Sequence, residues 1–229
     1  MVKATMIVAF DLEGTLVDGE LFPCIGEELG IGRQLEALTA QAMDGGIDYS
    51  SSVIRRVELI EGTSISRIEA ISRKIPLQKG AYLTVDAVKA CGAHPVIITG
   101  GFAQLADRVA AKLGVEYVAC NRLIVEDGVV AGVQTPILTG EGKRDRLTAL
   151  ANWLGVPLTD CAAIGDGSND VPMLKAAGLG IGFGDRECVS VADYVVKTGT
   201  LADAVPHITR HFALTRTHNL SHPTTVTFS

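Results

Sequence analysis

The chain has 229 residues, enough for one large domain or for a core domain with a smaller insert. Its net charge of -6 argues against a nucleic-acid-binding protein or a basic protein of the membrane surface. With 47% hydrophobic and 20% charged residues, and no apolar run near the ~20 residues that span a bilayer, the composition is typical of a soluble globular enzyme.

The first element is a predicted buried strand, Met6 to Phe10, which ends in two carboxylates. Side chains alternate along extended backbone, so Asp11 and Glu13 are expected to point to the same side. Two neighbouring carboxylates repel each other unless a cation lies between them or one keeps its proton. Open α/β sheets bind ligands at the carboxyl ends of their strands, which is where this pair is placed.

Residues 18–75 change to a helical pattern. Apolar residues recur at helical spacing, for example at Leu21, Ile25 and Leu29, and glycines separate the segments. We therefore predict a small helical cap domain, residues 18–75, inserted directly after the first strand.

From Lys79 onward, predicted helices and strands alternate. The strands are expected at 95–99, 115–119, 161–164, 179–183 and 194–196, and Glu126-Asp127-Gly128 indicates a hairpin turn. This alternation is typical of an α/β fold with a doubly wound parallel sheet of the Rossmann type. We assign residues 1–17 and 76–212 to this core domain and 213–229 to a C-terminal tail.

Three predicted strands end in polar side chains, and parallel strands bring these ends to one edge of the sheet. Asp11, Glu13, Asp166 and Asp170 would then form a site of hard oxygen ligands, suited to Mg²⁺.

Phosphate-binding features are expected at the same edge. Thr99, Gly100 and Gly101 precede a predicted helix, whose free amide groups attract phosphate. Lys143, near the start of another helix, could add a positive charge. A metal ion, a lysine and amide donors around a carboxylate nucleophile are what phosphoryl transfer requires.

These segments resemble, in order and spacing, the four motifs of the haloacid dehalogenase superfamily of phosphohydrolases. The four segments are Asp11-x-Glu13-Gly-Thr15, Thr99-Gly-Gly, Lys143 and Gly165-Asp-Gly-Ser-Asn-Asp170. Within the superfamily, the phrase Ile98-Thr-Gly-Gly-Phe102 and the helical insert after the first motif are most similar to the phosphoserine phosphatases. The resemblance covers roughly residues 5 to 210.

The resemblance implies roles for individual residues in an Mg²⁺-dependent hydrolysis of O-phospho-L-serine. Asp11 would be the nucleophile that forms an aspartyl-phosphate, and Glu13 the general acid and then base. The metal would be held by Asp11, the carbonyl of Glu13 and Asp166, with Asp170 close by. Lys143, Thr99 and Gly100 would bind phosphoryl oxygens, and Asn169 would support the loop. The amino-acid end of the substrate would meet Glu20 and Arg56, with Met43 and Tyr49 as pocket walls.

One departure from the family keeps other activities open. Phosphoserine phosphatases usually carry Asp where this chain has Glu13, and a related homoserine phosphotransferase resembles the Asp-Leu-Glu-Gly sequence found here. A phosphatase or phosphotransferase acting on another small phosphate monoester, such as phosphohomoserine, is therefore an alternative, as is a binding relative without catalysis. A signalling receiver module is disfavoured by the insert and by the Gly165–Asp170 loop.

The remaining expectations concern partners and location. The partner is a small-molecule phosphate monoester, with no nucleic acid or membrane, and the protein is a monomer or homodimer. The five cysteines form no C-x-x-C pair, and Asp11 interrupts any signal-peptide hydrophobic region. Reduced thiols in a cytoplasmic enzyme of serine biosynthesis are expected.

Overall fold

The structure, a computed structural model, describes residues 6–184, 187–197 and 199–221. Its described strands are β1 (Ile7–Phe10), β2 (His94–Phe102), β3 (Tyr117–Asn121), β4 (Leu123–Glu126), β5 (Val129–Val133), β6 (Cys161–Gly165), β7 (Leu179–Phe183) and β8 (Tyr194–Val196). Six of them form one parallel sheet in the order β3-β2-β1-β6-β7-β8. β1 therefore lies between β2 and β6, the strands that carry two of the other three motifs.

Both faces of the sheet are covered, as a doubly wound fold requires. All four residues of β1 are buried, and their side chains alternate between two apolar clusters. Val8 and Phe10 belong to one cluster, whereas Ile7 and Ala9 belong to the other. The near-continuous apolar strands of the sequence follow from this two-sided burial.

The described helices are α1 (Leu21–Leu29), α2 (Gly32–Met43), α3 (Tyr49–Glu58), α4 (Ile65–Lys74), α5 (Ala81–Ala90), α6 (Ala103–Leu113), α7 (Gly140–Leu154), α8 (Val171–Ala176) and α9 (Val205–Ser221). Helices α5, α6 and α9 cover one face of the sheet, and α7 and α8 cover the other. This architecture confirms the predicted fold class.

Helices α1 to α4 lie within residues 18–75, the range predicted for the cap, and this segment is called the cap below. Their apolar faces are buried, for example at Val53 and Val57 of α3 and at Ile68 and Ile71 of α4. These side chains belong to the same apolar cluster as Phe10 of β1. The cap thus packs on the carboxyl edge of the sheet through a continuous hydrophobic contact.

The hairpin β4–β5 attaches to the cap rather than to the sheet. Its turn is formed by Asp127 and Gly128, both with positive φ (50° and 78°), as the Glu-Asp-Gly signal predicted. The amides of Gly62 and Ile65 donate to the carbonyls of Val130 and Gly128 at 2.8 and 3.0 Å, and the Val130 amide donates to the Thr63 carbonyl at 2.9 Å. The turn between α3 and α4 therefore pairs with the hairpin through a short antiparallel bridge.

The C-terminal segment differs from the prediction. Helix α9 continues through residue 213, where the tail was expected to begin, because Ile208 and Phe212 are buried against the core and hold its amino-terminal turns. Residues 222–229 lie outside the described part of the chain. All five cysteines are free thiols. Within the described ranges, no helix has both the length and the apolar character needed to cross a bilayer.

Candidate active site

A buried lysine joins two of the motif carboxylates. The Lys143 Nζ donates to Asp11 Oδ1 and to Asp170 Oδ1, each at 2.7 Å, and the lysine side chain is fully buried. Asp11 directly follows β1, and Lys143 lies in the first turn of α7, whose N-cap is Thr139. The fold thus brings together side chains that are distant in the sequence, as the strand-end argument predicted.

The loop after β6 fixes the orientation of Asp170. Its Oδ2 accepts hydrogen bonds from the amides of Asp166 and Gly167, both at 3.1 Å, while its Oδ1 accepts from Lys143. Gly165 makes this close approach possible, since a Cβ there would lie 2.3 Å from the Asp170 carboxyl carbon. Both oxygens of Asp170 are therefore committed to holding the loop and the lysine.

Three buried carboxylates form a metal-sized cluster. Asp11, Asp166 and Asp170 each offer an oxygen, and these oxygens lie within 4.8 Å of one another. The hydroxyl of Thr15 donates to Asp166 Oδ1 at 3.3 Å and orients that side chain. Hard oxygen donors of this kind and charge suit Mg²⁺. The donor set fits the metal that the sequence predicted.

The buried carboxylates of the cluster carry more negative charge than the buried lysine beside them can neutralise. Burial, followed by the charge of Asp11, raises the pKa of Asp170 to about 6, although Lys143 opposes this shift. Burial lowers the pKa of Lys143, but the carboxylates of Asp11 and Asp170 outweigh it and leave the lysine pKa above its usual range. The lysine is therefore a permanent cation, and it neutralises only part of the buried acid charge.

Glu13 lies between the cluster and the cap. Its Oε1 accepts a hydrogen bond from the Leu21 amide at 2.6 Å, so the carboxylate caps the amino terminus of α1. Burial raises the pKa of Glu13 to about 7; the Leu21 amide lowers it, and Asp11 raises it further. A carboxyl group with this pKa can both donate and accept a proton near neutral pH.

The end of β2, where the register with β3 shifts between Ile98 and Phe102, is held by a residue that the sequence analysis did not assign to the site. Asn121 donates to the Gly100 carbonyl at 2.7 Å and accepts from the Leu138 amide at 2.8 Å. Thr99 is buried, and its Oγ1 accepts from the Gly101 amide at 3.0 Å. Nothing about a lone asparagine in the sequence indicates such a bridge.

A cavity of about 840 Å³ lies between this edge of the sheet and the cap. Most of the predicted site residues line it: Asp11, Glu13, Glu20, Tyr49, Arg56, Thr99, Gly100, Asp166 and Asn169. Lys143 and Asp170 lie buried beside Asp11, behind the cavity wall. The side chain of Met43 lies outside the described part of the structure. The lining also includes residues that were not predicted, among them Thr39, Ala42, Ser52 and Ser168.

The cap contributes one arginine to the cavity. The Arg56 Nε donates to the Ser52 carbonyl at 3.3 Å, and its guanidinium carbon lies 4.8 Å from the centre of the Phe22 ring. Burial lowers the pKa of Arg56, while Tyr49, Glu13 and Glu20 act in the opposite direction. The guanidinium is therefore held in place on a wall that also carries acidic groups.

Comparison with known proteins agrees with this geometry. Residues 8–175 match the family model of the haloacid dehalogenase-like hydrolases. The chain belongs to this family.

Several relatives of this hydrolase are phosphoserine phosphatases. It is 35% identical over 187 residues to the phosphoserine phosphatase of Lactococcus lactis subsp. lactis, covering 81% of this chain and 87% of the relative. Two solved structures each superpose on this chain with a TM-score of 0.83. One is a phospho-aspartyl intermediate analogue of phosphoserine phosphatase, which is 32% identical and aligns over 90% of this chain and 100% of the other. The second is a substrate-bound phosphoserine phosphatase complex, which is 31% identical and aligns over 90% of this chain and 99% of the other. The hydrolase is thus a phosphoric monoester hydrolase most similar to phosphoserine phosphatases, as the motifs predicted.

Proposed function

We propose that this hydrolase releases inorganic phosphate from O-phospho-L-serine through an aspartyl-phosphate on Asp11. The observation that carries the proposal is that core and cap residues of different charge line one cavity: Asp11, Thr99 and Gly100 from the core, and Glu20 and Arg56 from the cap. We assign the core group to the phosphoryl end of the substrate and the cap pair to its amino-acid end. Phosphoserine carries a phosphate at one end and an ammonium and a carboxylate at the other, which matches this distribution of charge.

Asp11 is the proposed nucleophile. Its Oδ1 is held by Lys143, so Oδ2 is the oxygen that would attack phosphorus in line with the departing serine oxygen. The bond from phosphorus to the serine oxygen breaks as the bond to Asp11 forms. Water then attacks the aspartyl-phosphate, and the Asp11 carboxylate is regenerated.

The metal would be held by Asp11, Asp166 and the backbone carbonyl of Glu13. A bound Mg²⁺ supplies charge that offsets the negative charge of the phosphoryl oxygens. Asp170 orients Lys143 and the loop after β6, because both of its oxygens are already used there. Lys143 adds a fixed positive charge beside Asp11.

Glu13 is the proposed proton carrier. In the first half-reaction its protonated carboxyl donates to the serine oxygen, and in the second the carboxylate accepts a proton from the attacking water. Its pKa of about 7 supports both roles. The hydrogen bond from Leu21 places the carboxyl at the boundary of core and cap, beside the expected position of the leaving group.

The proposal is tested with a panel of phosphate monoesters. Phosphoserine, phosphothreonine and phosphohomoserine are each assayed for phosphate release with Mg²⁺, with and without homoserine as acceptor. We expect the highest kcat/KM for phosphoserine and no effect of homoserine on phosphate yield. Preferential formation of phosphohomoserine would instead show that the protein is a phosphotransferase. This is the second candidate function, because Glu13 stands where phosphoserine phosphatases usually carry Asp.

We further propose a cytoplasmic enzyme of serine biosynthesis that acts as a monomer or homodimer. The free state of all five cysteines supports a reducing compartment. Cell fractionation and the molar mass in solution test these two points separately.

A further inference from the structure

One face of helix α3 looks into the cavity. Ser52 and Arg56 follow Tyr49 by three and seven residues, a spacing that places all three on the same side of a helix. All three line the cavity. The amino terminus of the helix is capped by Asp48, whose side chain accepts a hydrogen bond from the Ser51 amide at 3.0 Å. The first residue of the helix, Tyr49, is therefore held in a defined position.

Two of the cap hydroxyl groups along the cavity are already used within the cap. In the described part of the cap, the hydroxyl residues that line the cavity are Thr39, Tyr49 and Ser52. Thr39 donates to the Leu35 carbonyl at 3.1 Å, and Ser52 donates to the Leu38 carbonyl at 3.0 Å. These two hydroxyl protons are directed at helix backbone rather than at a ligand.

The Tyr49 hydroxyl reaches across to the core. A Cβ on Gly100 would lie 2.6 Å from the Tyr49 hydroxyl oxygen, so the phenol end rests directly against this glycine. Gly100 lies near the end of β2, in the segment assigned to the phosphoryl group, and the absence of a side chain there leaves the space that the hydroxyl occupies. Burial raises the pKa of Tyr49, and Lys143 and Arg56 oppose this rise. The phenol therefore keeps its proton at neutral pH.

We propose that the Tyr49 hydroxyl donates a hydrogen bond to the phosphoryl group of the substrate, as a phosphate ligand supplied by the cap. This inference rests on the proposed function, since it uses the phosphoryl position beside Thr99 and Gly100. The Arg56 side chain donates a hydrogen bond to the Tyr49 oxygen, which leaves the phenol proton for the phosphoryl group and links Tyr49 to a residue assigned to the amino-acid end. Phosphate bound in the core would then contact the cap directly, and phosphate affinity would depend on this one cap hydroxyl.

The test removes only the hydroxyl. Tyr49→Phe keeps the ring and its packing, and Tyr82→Phe, on the exposed side of α5, is the matched control. Binding of inorganic phosphate and of L-serine is measured by calorimetry on each Mg²⁺-loaded protein. Because binding is measured without turnover, the result does not depend on whether phosphoserine is the substrate.

A hydrogen bond to a charged group is worth at least about tenfold in affinity. We expect Tyr49→Phe to weaken phosphate binding by roughly tenfold or more, with a clearly smaller loss for L-serine, because Arg56 loses its Tyr49 acceptor, and with Tyr82→Phe unchanged. Unaltered phosphate affinity in Tyr49→Phe would overturn the inference. Equal losses for phosphate and L-serine would also overturn it, because they would show a general change of the pocket. Failure of phosphoserine turnover in the wild type would contradict only the proposed function.

Discussion

At the scale of single residues, the site depends on an excess of buried acid. Asp11, Asp166 and Asp170 cluster around one side of the cavity, and Lys143 is the buried cation that contacts two of them. Buried carboxylates at such short range repel each other strongly unless further positive charge is added. The arrangement is therefore incomplete as a stable structural motif and suited to a divalent cation.

Loss of the Asp11 charge tests the nucleophile. Asp11→Asn keeps an oxygen that can accept from Lys143, but the amide oxygen is a poor nucleophile. We expect kcat to fall by on the order of 10⁴-fold or more, measured as phosphate release from phosphoserine. Asp86→Asn, on the exposed side of α5, should retain wild-type activity. Substantial turnover in Asp11→Asn would contradict the assigned role.

Glu13 should make the metal-free protein less stable as pH rises. Its folded-state pKa of about 7 exceeds the ordinary 4.5, so the folded state binds the proton more tightly than the unfolded state does. This contribution to stability is fully present below about pH 4.5 and is lost as pH rises through about 7. Glu13→Gln keeps the acceptor for Leu21 and removes the charge. We expect it to be inactive, yet more stable at pH 8 by up to about 3 kcal/mol.

Denaturant unfolding with EDTA at pH 5 and pH 8 checks this expectation. The gain in stability of Glu13→Gln over the wild type should be larger at pH 8 than at pH 5. A gain that is the same at both pH values would show that Glu13 does not titrate in this range.

Sequence patterns predicted the charged residues of the site better than its supporting contacts. Asp11 and Asp166 were placed together by the rule for strand ends, and Lys143 was expected to add a charge at the same edge from its position near the start of a helix. The Asn121 bridge and the capping of α1 by Glu13 were not predicted. Each depends on where two distant backbone groups meet, and residue type alone does not reveal that.

At the scale of elements, the hairpin β4–β5 links the cap to the core segment that leads to Lys143. The backbone hydrogen bonds between the hairpin and the α3–α4 turn make the hairpin part of the cap surface. At the base of the hairpin, the backbone amide of Gln134 donates to the Arg122 carbonyl at 2.9 Å. Val130 is buried in the cluster that the cap shares with the core. We therefore expect the hairpin and the cap to move as one unit.

A covalent link between hairpin and cap tests this expectation. Ser64 and Val129 face each other across an antiparallel bridge, in the non-hydrogen-bonded position whose short Cα separation suits a disulfide. We expect the Ser64→Cys/Val129→Cys protein, when oxidised, to keep kcat within about twofold of its reduced form. The closed loop should also stabilise it by about 4 kcal/mol. A large loss of kcat on oxidation, restored by reductant, would show that cap and hairpin separate during turnover.

The sequence predicted most elements but not how they pair. Strands such as β1 and β7 stand out because apolar runs end in polar or glycine-rich turns. The order that places β1 between β2 and β6 depends on non-local pairing, which local periodicity does not encode. The same reason explains why the Asp127-Gly128 turn was predicted whereas its attachment to the α3–α4 turn was not.

At the scale of the whole molecule, metal binding should stabilise the fold. The proposed ligands Asp11 and Asp166 follow β1 and β6, so a cation bound between them holds these two strand ends together. At Mg²⁺ concentrations near 100 times Kd, mass action adds about 2.7 kcal/mol, or roughly 5–10 °C in Tm. Asp166→Asn should remove most of this shift, and NaCl at equal ionic strength should not produce it. A Tm that does not respond to Mg²⁺ would contradict the metal site.

The central claim is that Asp11 is transiently phosphorylated, and trapping that species tests it most directly. The enzyme is mixed with phosphoserine and Mg²⁺, quenched within one turnover and treated with borohydride, which reduces an aspartyl-phosphate to homoserine. Peptide mass spectrometry should then find homoserine at position 11 in the wild type and none in Asp11→Asn. Full phosphate release without modification of Asp11, or modification at another carboxylate, would contradict the account.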